Sequence, residues 1–315
     1  MSVLVYVEPT TTLPPKPTAH ECMRWTWYGV DGSVWSLGRQ AGAYVLRSAV
    51  VGMLHPAFID HVSASPAVDG QFYRSTRTLP RSLGFRIRLR QNSSRDFVET
   101  HRAFWRSWSP HTPGRLEIAS IDSTRSIWLR LQSSGDAAFD ADPQRWAMLT
   151  MDLEAIADDP YWLGEPIERS WGTSTPVPFY GPSGAGPSFW ISSASTIDSA
   201  TVTNPGDAES WPVWTIESTG VTSGVSLTVD GGRIQLPGMV AGEAIRIDTH
   251  PAYGGAQRGS MVDGTFVATD PDIDGECDLG GSRRIPPGQS VPVGISMTGS
   301  GSVSVSFTPR YWLAF

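Results

Sequence analysis

Residues 84–90 read Gly84-Phe85-Arg86-Ile87-Arg88-Leu89-Arg90, and from Phe85 onward apolar and charged residues alternate without interruption. Successive side chains of a β-strand point to opposite faces, so the alternation predicts a strand whose apolar residues face the core. The same period places Arg86, Arg88 and Arg90 together on the other face. Like charges on one strand face repel each other unless carboxylates meet them, which makes this face a candidate contact with a partner subunit. A solvated sheet face is the preferred interpretation of the three arginines, and the contact with a partner subunit is the alternative.

One amphipathic helix is predicted directly after this strand, over residues 94–108. Ser93 or Ser94 can cap its first turn, where Asp96 is favourably placed, and Pro110 ends it. Aromatic residues recur at helical spacing along one stripe. This stripe comprises Phe97, His101, Phe104, Trp105 and Trp108. Because no second His, Cys or carboxylate stands at ligand spacing beside it, we expect His101 to be packed and not to bind a metal.

Strand patterns surround this helix on both sides. Hairpins are predicted over 24–37, around a Gly29-Val30-Asp31-Gly32 turn, and over 116–131, and one long strand is predicted over 146–157. The second half shows short strand-like runs and no helical period. These runs are 211–217, 225–229, 233–236, 244–248, 260–268 and 303–308. The sequence therefore predicts a mainly β fold with a β-sandwich in its second half.

Length and composition predict two domains, because 315 residues are more than a single core usually carries. Residues 164–203 are dense in Pro, Gly, Ser and Thr, a composition typical of an extended segment. We therefore divide the chain into an N-terminal domain of residues 1–163, a Pro/Gly/Ser-rich connection of residues 164–203, and a C-terminal β-sandwich of residues 204–315.

Charge and cysteine content exclude several classes of protein. Residues 1–157 carry 17 basic and 14 acidic residues, whereas residues 158–315 carry 7 basic and 17 acidic ones. An acidic second half and scattered arginines argue against specific nucleic-acid binding. Cys22 and Cys277 do not make a disulfide framework, and we find neither a signal peptide nor an apolar run of membrane-spanning length. We expect a protein that does not bind membranes and folds in a reducing compartment.

Motifs for catalysis are missing from the sequence, which contains no nucleophile elbow, zinc-protease helix, phosphate loop or dinucleotide fingerprint. We therefore expect neither an enzyme nor a cofactor. Asp270, Asp272 and Asp274 match the first half of a calcium loop, and Glu276 or Asp278 could add a ligand. Gly281 stands where such a loop supplies its bidentate Glu, so an acidic surface loop is the preferred interpretation and calcium binding the alternative.

The order of these motifs carries a resemblance to a known family. In the first block, a Trp-rich hairpin, an Arg-striped strand, one helix, a second hairpin and a long strand lead to Asp159-Pro160-Tyr161-Trp162. Further motifs follow in the second block. They are Asn204-Pro205-Gly206-Asp207, Trp211-Pro212-Val213-Trp214, Ala241-Gly242-Glu243, Ile247-Asp248-Thr249, Ile285-Pro286-Pro287-Gly288 and Phe307-Thr308-Pro309-Arg310-Tyr311. The chain resembles the distal tail proteins of long-tailed (siphovirus-type) bacteriophages, and its second block is similar to minor tail proteins of phages that infect actinobacteria.

The resemblance implies a structural virion protein that forms a ring, usually a hexamer, at the distal end of the tail. It implies a ring-forming, β-sandwich-like first domain with one helix and a projecting hairpin, and a galectin-like second domain. Its partners would be copies of itself, the tail tube protein and the tip or baseplate hub, with assembly in the host cytoplasm. Carried onto this chain, the candidate ring surfaces are the 116–131 hairpin and six residues of the strand and helix. These six are Arg86, Arg88, Arg90, His101, Trp105 and Trp108.

A carbohydrate-binding module that contacts the host envelope is the alternative function. Sandwiches of the galectin-like type can stack sugars on exposed aromatic side chains. The chain has 13 tryptophans, but most of them fall at alternating or helical core positions, where burial accounts for them. The structural role is therefore preferred.

Overall fold

The computed structural model describes residues 23–38, 42–46, 50–134, 142–172, 194–222, 224–252 and 254–315. Cys22 and residues 173–193 of the predicted connection lie outside this range. The chain is mainly β, with 56% strand and 8% helix, which confirms the predicted fold class. No helix among the described residues is long and apolar enough to cross a membrane.

The first block contains ten described strands and two helices. They are β1 (Arg24–Tyr28), β2 (Val34–Ser36), β3 (Gly42–Val45), β4 (Phe58–Ser65), β5 (Val68–Thr78), β6 (Arg81–Arg90), α1 (Ser94–Arg106), β7 (Gly114–Ala119), β8 (Thr124–Ser134), α2 (Pro143–Trp146), β9 (Met148–Ala157) and β10 (Trp162–Leu163). Ser93 caps α1 by accepting a hydrogen bond from the backbone N–H of Asp96, as predicted.

Seven of these strands form a flattened barrel in the order β2-β1-β7-β8-β9-β6-β3. The strand β8 pairs with β7 through its first half and with β9 through its second, so it passes from one layer to the other. A bridge between Gly38 and Tyr44 joins the two ends of the sheet. The core between the layers contains Phe85, Ile87 and Leu89, as the alternation predicts.

Helix α1 packs its aromatic side chains into the same core. Phe97 and Phe104 are buried, and the ring of Phe104 meets that of Trp35 edge to face. Trp108 lies beyond the end of the helix and is only 6% exposed, because its ring stacks on Trp27 with centroids 3.7 Å apart. The aromatic stripe therefore serves the domain's own interior at these positions.

The second block is a β-sandwich of a six-stranded and a four-stranded sheet, with orders β11-β20-β13-β16-β17-β18 and β12-β19-β14-β15. The strands are β11 (Ile167–Gly172), β12 (Ala194–Thr203), β13 (Val213–Ser218), β14 (Gly224–Val229), β15 (Gly232–Leu236), β16 (Ala244–Asp248), β17 (Gly255–Val262), β18 (Thr265–Asp270), β19 (Ser290–Thr298) and β20 (Gly301–Phe307). One apolar cluster, which includes Trp214, Leu227 and Val305, fills the space between the sheets.

The segment predicted as a connection differs from that expectation. Its described parts contain β11 and β12, which pair along their length with β20 and β19. These residues are therefore strands of the second sandwich. Composition alone misled the prediction, because Ser and Thr are also compatible with outward-facing positions of a strand.

The C-terminal residues return to the first block. Strand β21 (Arg310–Tyr311) pairs with β10, and the guanidinium of Arg310 bonds the carboxylate of Asp159 at 2.6 Å. Arg310 also lies 3.9 Å above the ring of Tyr161, and Arg125 lies 3.8 Å above that of Tyr311. We call this region, residues 159–163 and 309–315, the joint.

We expect the two blocks to stay together when the chain is cut between residues 180 and 190. After such a cut, β11 remains in the N-terminal fragment but pairs with β20 of the C-terminal fragment. Conversely, β21 lies in the C-terminal fragment and pairs with β10 of the N-terminal fragment. With an inserted protease site, the fragments should co-elute in size-exclusion chromatography in native buffer and separate in denaturant. Separation in native buffer would contradict this pairing.

Three further elements differ from the predictions. Trp146 ends a one-turn helix, and Ala147 with φ of 47° separates it from β9. Residues 260–268 were predicted as one strand, but they contain the end of β17, a turn at Asp263 and Gly264, and the start of β18. The strand β19 was not predicted, because Pro292 and Gly294 interrupt its pattern. The pairing of β14 with β19 ends at Val293, so at Pro292 the strand β19 pairs with β12 alone. A proline, which has no backbone N–H to donate, is tolerated at such a position.

Candidate assembly surface

The feature that stands out among the described strands is a hairpin of β4 and β5, residues 58–78, which forms a sheet of its own. Five large apolar side chains on this hairpin are between 43% and 64% exposed. These are Phe58, Ile59, Val62, Phe72 and Tyr73. An isolated two-stranded ribbon is at best marginally stable in water, and exposed apolar patches usually mark binding surfaces. The hairpin therefore has the composition of an interface element.

Each face of the hairpin carries both apolar and polar side chains. Cross-strand partners share a face, so Val62 and Tyr73 lie on one face, and Ser63 and Phe72 lie on the other. On the first face the hydroxyl of Thr76 donates to the carboxylate of Asp60, and the Tyr73 hydroxyl lies 2.8 Å from that of Thr76. The outer edges of β4 and β5 pair with no other described strand. Apolar side chains and unpaired edges are thus both available to another chain.

One of the three charges on the arginine face of β6 is paired with a carboxylate within the chain. Arg86 forms a bidentate pair with Asp152 on β9, with N–O distances of 2.7 and 3.0 Å. The hydrogen bonds from Arg86 lower the pKa of Asp152. Arg88 donates to the hydroxyl of Thr150 at 2.9 Å, and Arg90 is exposed at the end of the strand. Asp152 therefore supplies the carboxylate for Arg86 within the chain, and the contact of this face with a partner subunit stays a prediction.

The helix residues divide into buried and half-buried ones. Trp108 belongs to the core and offers no contact surface. His101 and Trp105 are half-buried, and the Nε1–H of Trp105 donates to Nε2 of His101 at 3.1 Å. Burial, together with the charge of Arg102, lowers the pKa of His101. The acceptor role requires Nε2 to be unprotonated, which agrees with that direction.

Stability should fall on acidification because of His101. Its folded-state pKa lies below the ordinary 6.5, so below that pH the unfolded chain takes up the proton before the folded chain does. The free energy of unfolding should therefore decrease as the pH falls from 7 to 5. His101→Gln keeps an acceptor for Trp105 and removes the titration, so its unfolding curve should depend less on pH. Equal pH dependence in both proteins would refute this role.

The aspartates of the predicted calcium loop do not converge. Asp270 and Asp272 each accept a backbone N–H two residues ahead, and Asp274 accepts the N–H of Ala256 at 2.6 Å. No group of three or more His, Cys, Asp or Glu side chains among the described residues could hold a metal ion. The carboxylates instead order the turn between β18 and the following 3₁₀ turn, so the calcium alternative is not supported.

A buried guanidinium lies at the root of the hairpin. Arg81 is 1% exposed, and within the described part of the chain its donors bond only backbone carbonyl oxygens, those of Pro160, Gly52, Leu54 and Trp312. Burial lowers the pKa of Arg81 to about 10, so the group stays charged at neutral pH. We call Arg81 and these four carbonyl groups the Arg81 node.

A cleft lies on the outward face of the six-stranded sheet, between its edge strands β11 and β18. Its volume is about 470 Å³. Hydroxyl groups and one guanidinium form the floor, and two apolar side chains form a wall. These residues are Ser170, Thr215, Ser304, Arg246, Met261 and Phe266.

Solved structures place this architecture among known folds. The Dit protein of phage SPP1, described as a paradigm of the hub adsorption apparatus in phages that infect Gram-positive bacteria, matches with a TM-score of 0.61 and 13% identity. The match covers 92% of this chain and 99% of that one. This chain has a fold similar to that of a phage distal tail protein. A chain of the phage P2 baseplate in its activated conformation with Ca matches with a TM-score of 0.51 and 10% identity, over 91% and 98% of the two chains.

No protein-family model and no curated protein sequence matches this chain. The likeness to distal tail proteins therefore concerns the fold. Within this distal tail fold, the 116–131 hairpin is β7 and β8, whose residues Leu116, Ile118, Ile127 and Leu129 lie in the barrel core. The projecting hairpin is residues 58–78, which sequence reasoning missed. The aromatic and β-branched residues Phe58, Ile59 and Val62 were the available signal.

Proposed function

We propose that this chain is a structural virion protein that forms a closed homo-oligomeric ring, a hexamer, at the distal end of a phage tail. The ring would join the tail tube to the tip or baseplate hub. The observation that carries the proposal is the hairpin of residues 58–78, with exposed apolar side chains on both faces and unpaired edges. Its place in a distal tail fold supports the assignment to this kind of ring.

The proposed ring contact is heterologous. The hairpin of one copy lies on a different surface of the next copy, and repetition of such a contact around an axis closes a ring. An extended element with aromatic anchors suits this arrangement, because Phe and Tyr supply much of the binding energy at interfaces. The proposal assigns the chain a scaffolding role without catalysis or a cofactor.

Photo-cross-linking in assembled tails tests the proposal. A benzoylphenylalanine at position 72, on the hairpin, should give a ladder of cross-linked oligomers of this chain up to the ring size. The matched control places the same residue at position 240, since Val240 is 58% exposed in the second sandwich. The control should give no such ladder. Absence of cross-links from position 72 in tails that contain the protein would overturn the proposal.

A second candidate function is favoured by the cleft on the six-stranded sheet. Its hydroxyl groups and Arg246 can hydrogen-bond the hydroxyls of a saccharide, and the ring of Phe266 offers a face for stacking. This would make the second sandwich a carbohydrate-binding module that contacts the host envelope. The cleft has one aromatic wall residue, so the ring function remains the preferred one.

Binding of host cell-wall polysaccharide to the full chain tests this second function. The double variant Arg246→Ala with Phe266→Ala should lose at least tenfold in affinity in isothermal titration. Arg233→Ala, at an exposed position of strand β15 in the other sheet, serves as the control and should bind normally. No saturable binding by the unaltered chain would rule out the saccharide site.

A further inference from the structure

The base of the hairpin is fixed on the barrel by the residues that precede it. Val51 and Gly84 exchange two backbone hydrogen bonds, of 3.0 and 3.2 Å, and the N–H of Leu79 donates to Ala57 to close the hairpin base at 2.9 Å. Gly52 has φ of +85°, and a Cβ there would lie 2.1 Å from the carbonyl oxygen of Ser82. The segment 51–57 therefore lies tightly against β6, with Arg81 bonding its carbonyls at 52 and 54.

The other side of the Arg81 node reaches the second sandwich. Arg81 donates to the carbonyl of Trp312 at 2.7 Å. Trp312 is held in turn by Asp207, which accepts from the backbone N–H of Trp312 at 3.2 Å and from its Nε1–H at 3.1 Å. Asp207 and Ala208 both donate their backbone N–H to Arg310. Hydrogen bonds thus link Asp207 and Trp312 through Arg81 to the carbonyl groups of Gly52 and Leu54, which lie in the segment that precedes the hairpin base.

We propose that Arg81 couples the hairpin base to the second sandwich, so that withdrawal of Trp312 from the joint loosens the segment 51–57 and the hairpin. The inference rests on the proposed ring function, in which the hairpin is the contact element. The node contains no carboxylate, so each guanidinium N–H that loses its carbonyl is left without a partner in a buried site. Because a buried N–H without a partner is costly, loss of one carbonyl group favours rearrangement of all the hydrogen bonds of the Arg81 node. Displacement of the second sandwich would in this way change the ability of the hairpin to bind the next copy in the ring.

Hydrogen exchange on the unassembled full chain tests the coupling. Deletion of residues 312–315 removes the Trp312 carbonyl, and we expect the amides of Val51, Leu79 and Gly84 to exchange at least fivefold faster than in the intact chain. Deletion of Phe315 alone, which is half exposed, is the control and should leave these amides unchanged. Faster exchange confined to the second sandwich and the joint would overturn the proposal.

A reciprocal variant keeps the test decisive if the truncated chain does not fold. Coupling free energies are reciprocal, so disturbance of the node from the barrel side must be felt in the sandwich. Arg81→Lys keeps the charge but cannot serve all four carbonyls, and it should accelerate exchange of the Asp207 and Ala208 amides at least fivefold. Unchanged exchange at these amides would refute the coupling. Because exchange is measured on the unassembled chain, its outcome is independent of whether rings form.

Discussion

Replacement of Arg81 by methionine is expected to lower the free energy of unfolding by about 3 to 5 kcal/mol, a large loss of the kind that follows when a buried hydrogen-bond network is broken. The methionine side chain fills part of the space but donates no hydrogen bond, so it leaves the carbonyls of Pro160, Gly52, Leu54 and Trp312 without their donor. Each unsatisfied buried acceptor costs about 1 to 3 kcal/mol, which makes the effect large. Chemical denaturation followed by circular dichroism measures it.

Arg86→Met is the matched control for this prediction. Arg86 lies on the same strand, but it pairs with Asp152 in solvent, and exposed ion pairs contribute about 0.2 to 1 kcal/mol. The control should therefore unfold close to the unaltered chain. If Arg81→Met and Arg86→Met unfold at the same denaturant concentration, the Arg81 node does not have the structural role that we assign to it.

Phe72→Glu and Tyr73→Glu are expected to lower incorporation of the protein into tails at least tenfold while the unassembled chain stays folded. Both side chains are more than half exposed, and exposed substitutions usually change stability by about 0.5 kcal/mol. Loss of an aromatic anchor at an interface costs about 2 kcal/mol or more, which exceeds a factor of ten in affinity. Quantitative mass spectrometry of purified tails measures the incorporation.

The two hairpin variants also distinguish its faces. Tyr73 shares a face with Val62, whereas Phe72 lies on the opposite face. A hairpin held between two surfaces should respond to both substitutions, and a hairpin lying on one surface should respond to one of them. Val240→Glu in the second sandwich is the control. Normal incorporation of both hairpin variants would remove the hairpin from the proposed interface.

The sequence predicted the elements whose side chains alternate with respect to a single core. Phe85, Ile87 and Leu89 are buried as the period-2 pattern requires, and the Ser93 cap and the early hairpin lie where they were expected. These features depend on local capping chemistry and on one buried face, and both can be recognised from the order of residues in the sequence.

The position of Arg81 could also have been predicted but was not. It stands two residues before Leu83, so the same alternation places it on the core face with Phe85. The strand predicted from the sequence begins at Gly84 and does not include Arg81, and arginine is a residue type that is seldom buried. Its carbonyl partners come from residues as distant as Trp312, and no local pattern predicts such a set.

The projecting hairpin was missed for a related reason. The dipeptide Asp69-Gly70 suggests a turn, whereas the pairing of Ser65 with Val68 places the turn at Pro66 and Ala67. Apolar residues on both faces also obscure the alternation that marks a half-buried strand. In the proposed ring such a strand is covered by a second copy of the chain, and a single sequence carries no information about that contact.

Electron cryomicroscopy of purified tails tests whether the proposed ring exists. We expect a closed ring of copies of this chain at the distal end of the tail tube, in which the hairpin of residues 58–78 of each copy lies buried against the next copy. A ring whose hairpins point into solvent, or a chain present in tails only as isolated monomers, would contradict this expectation.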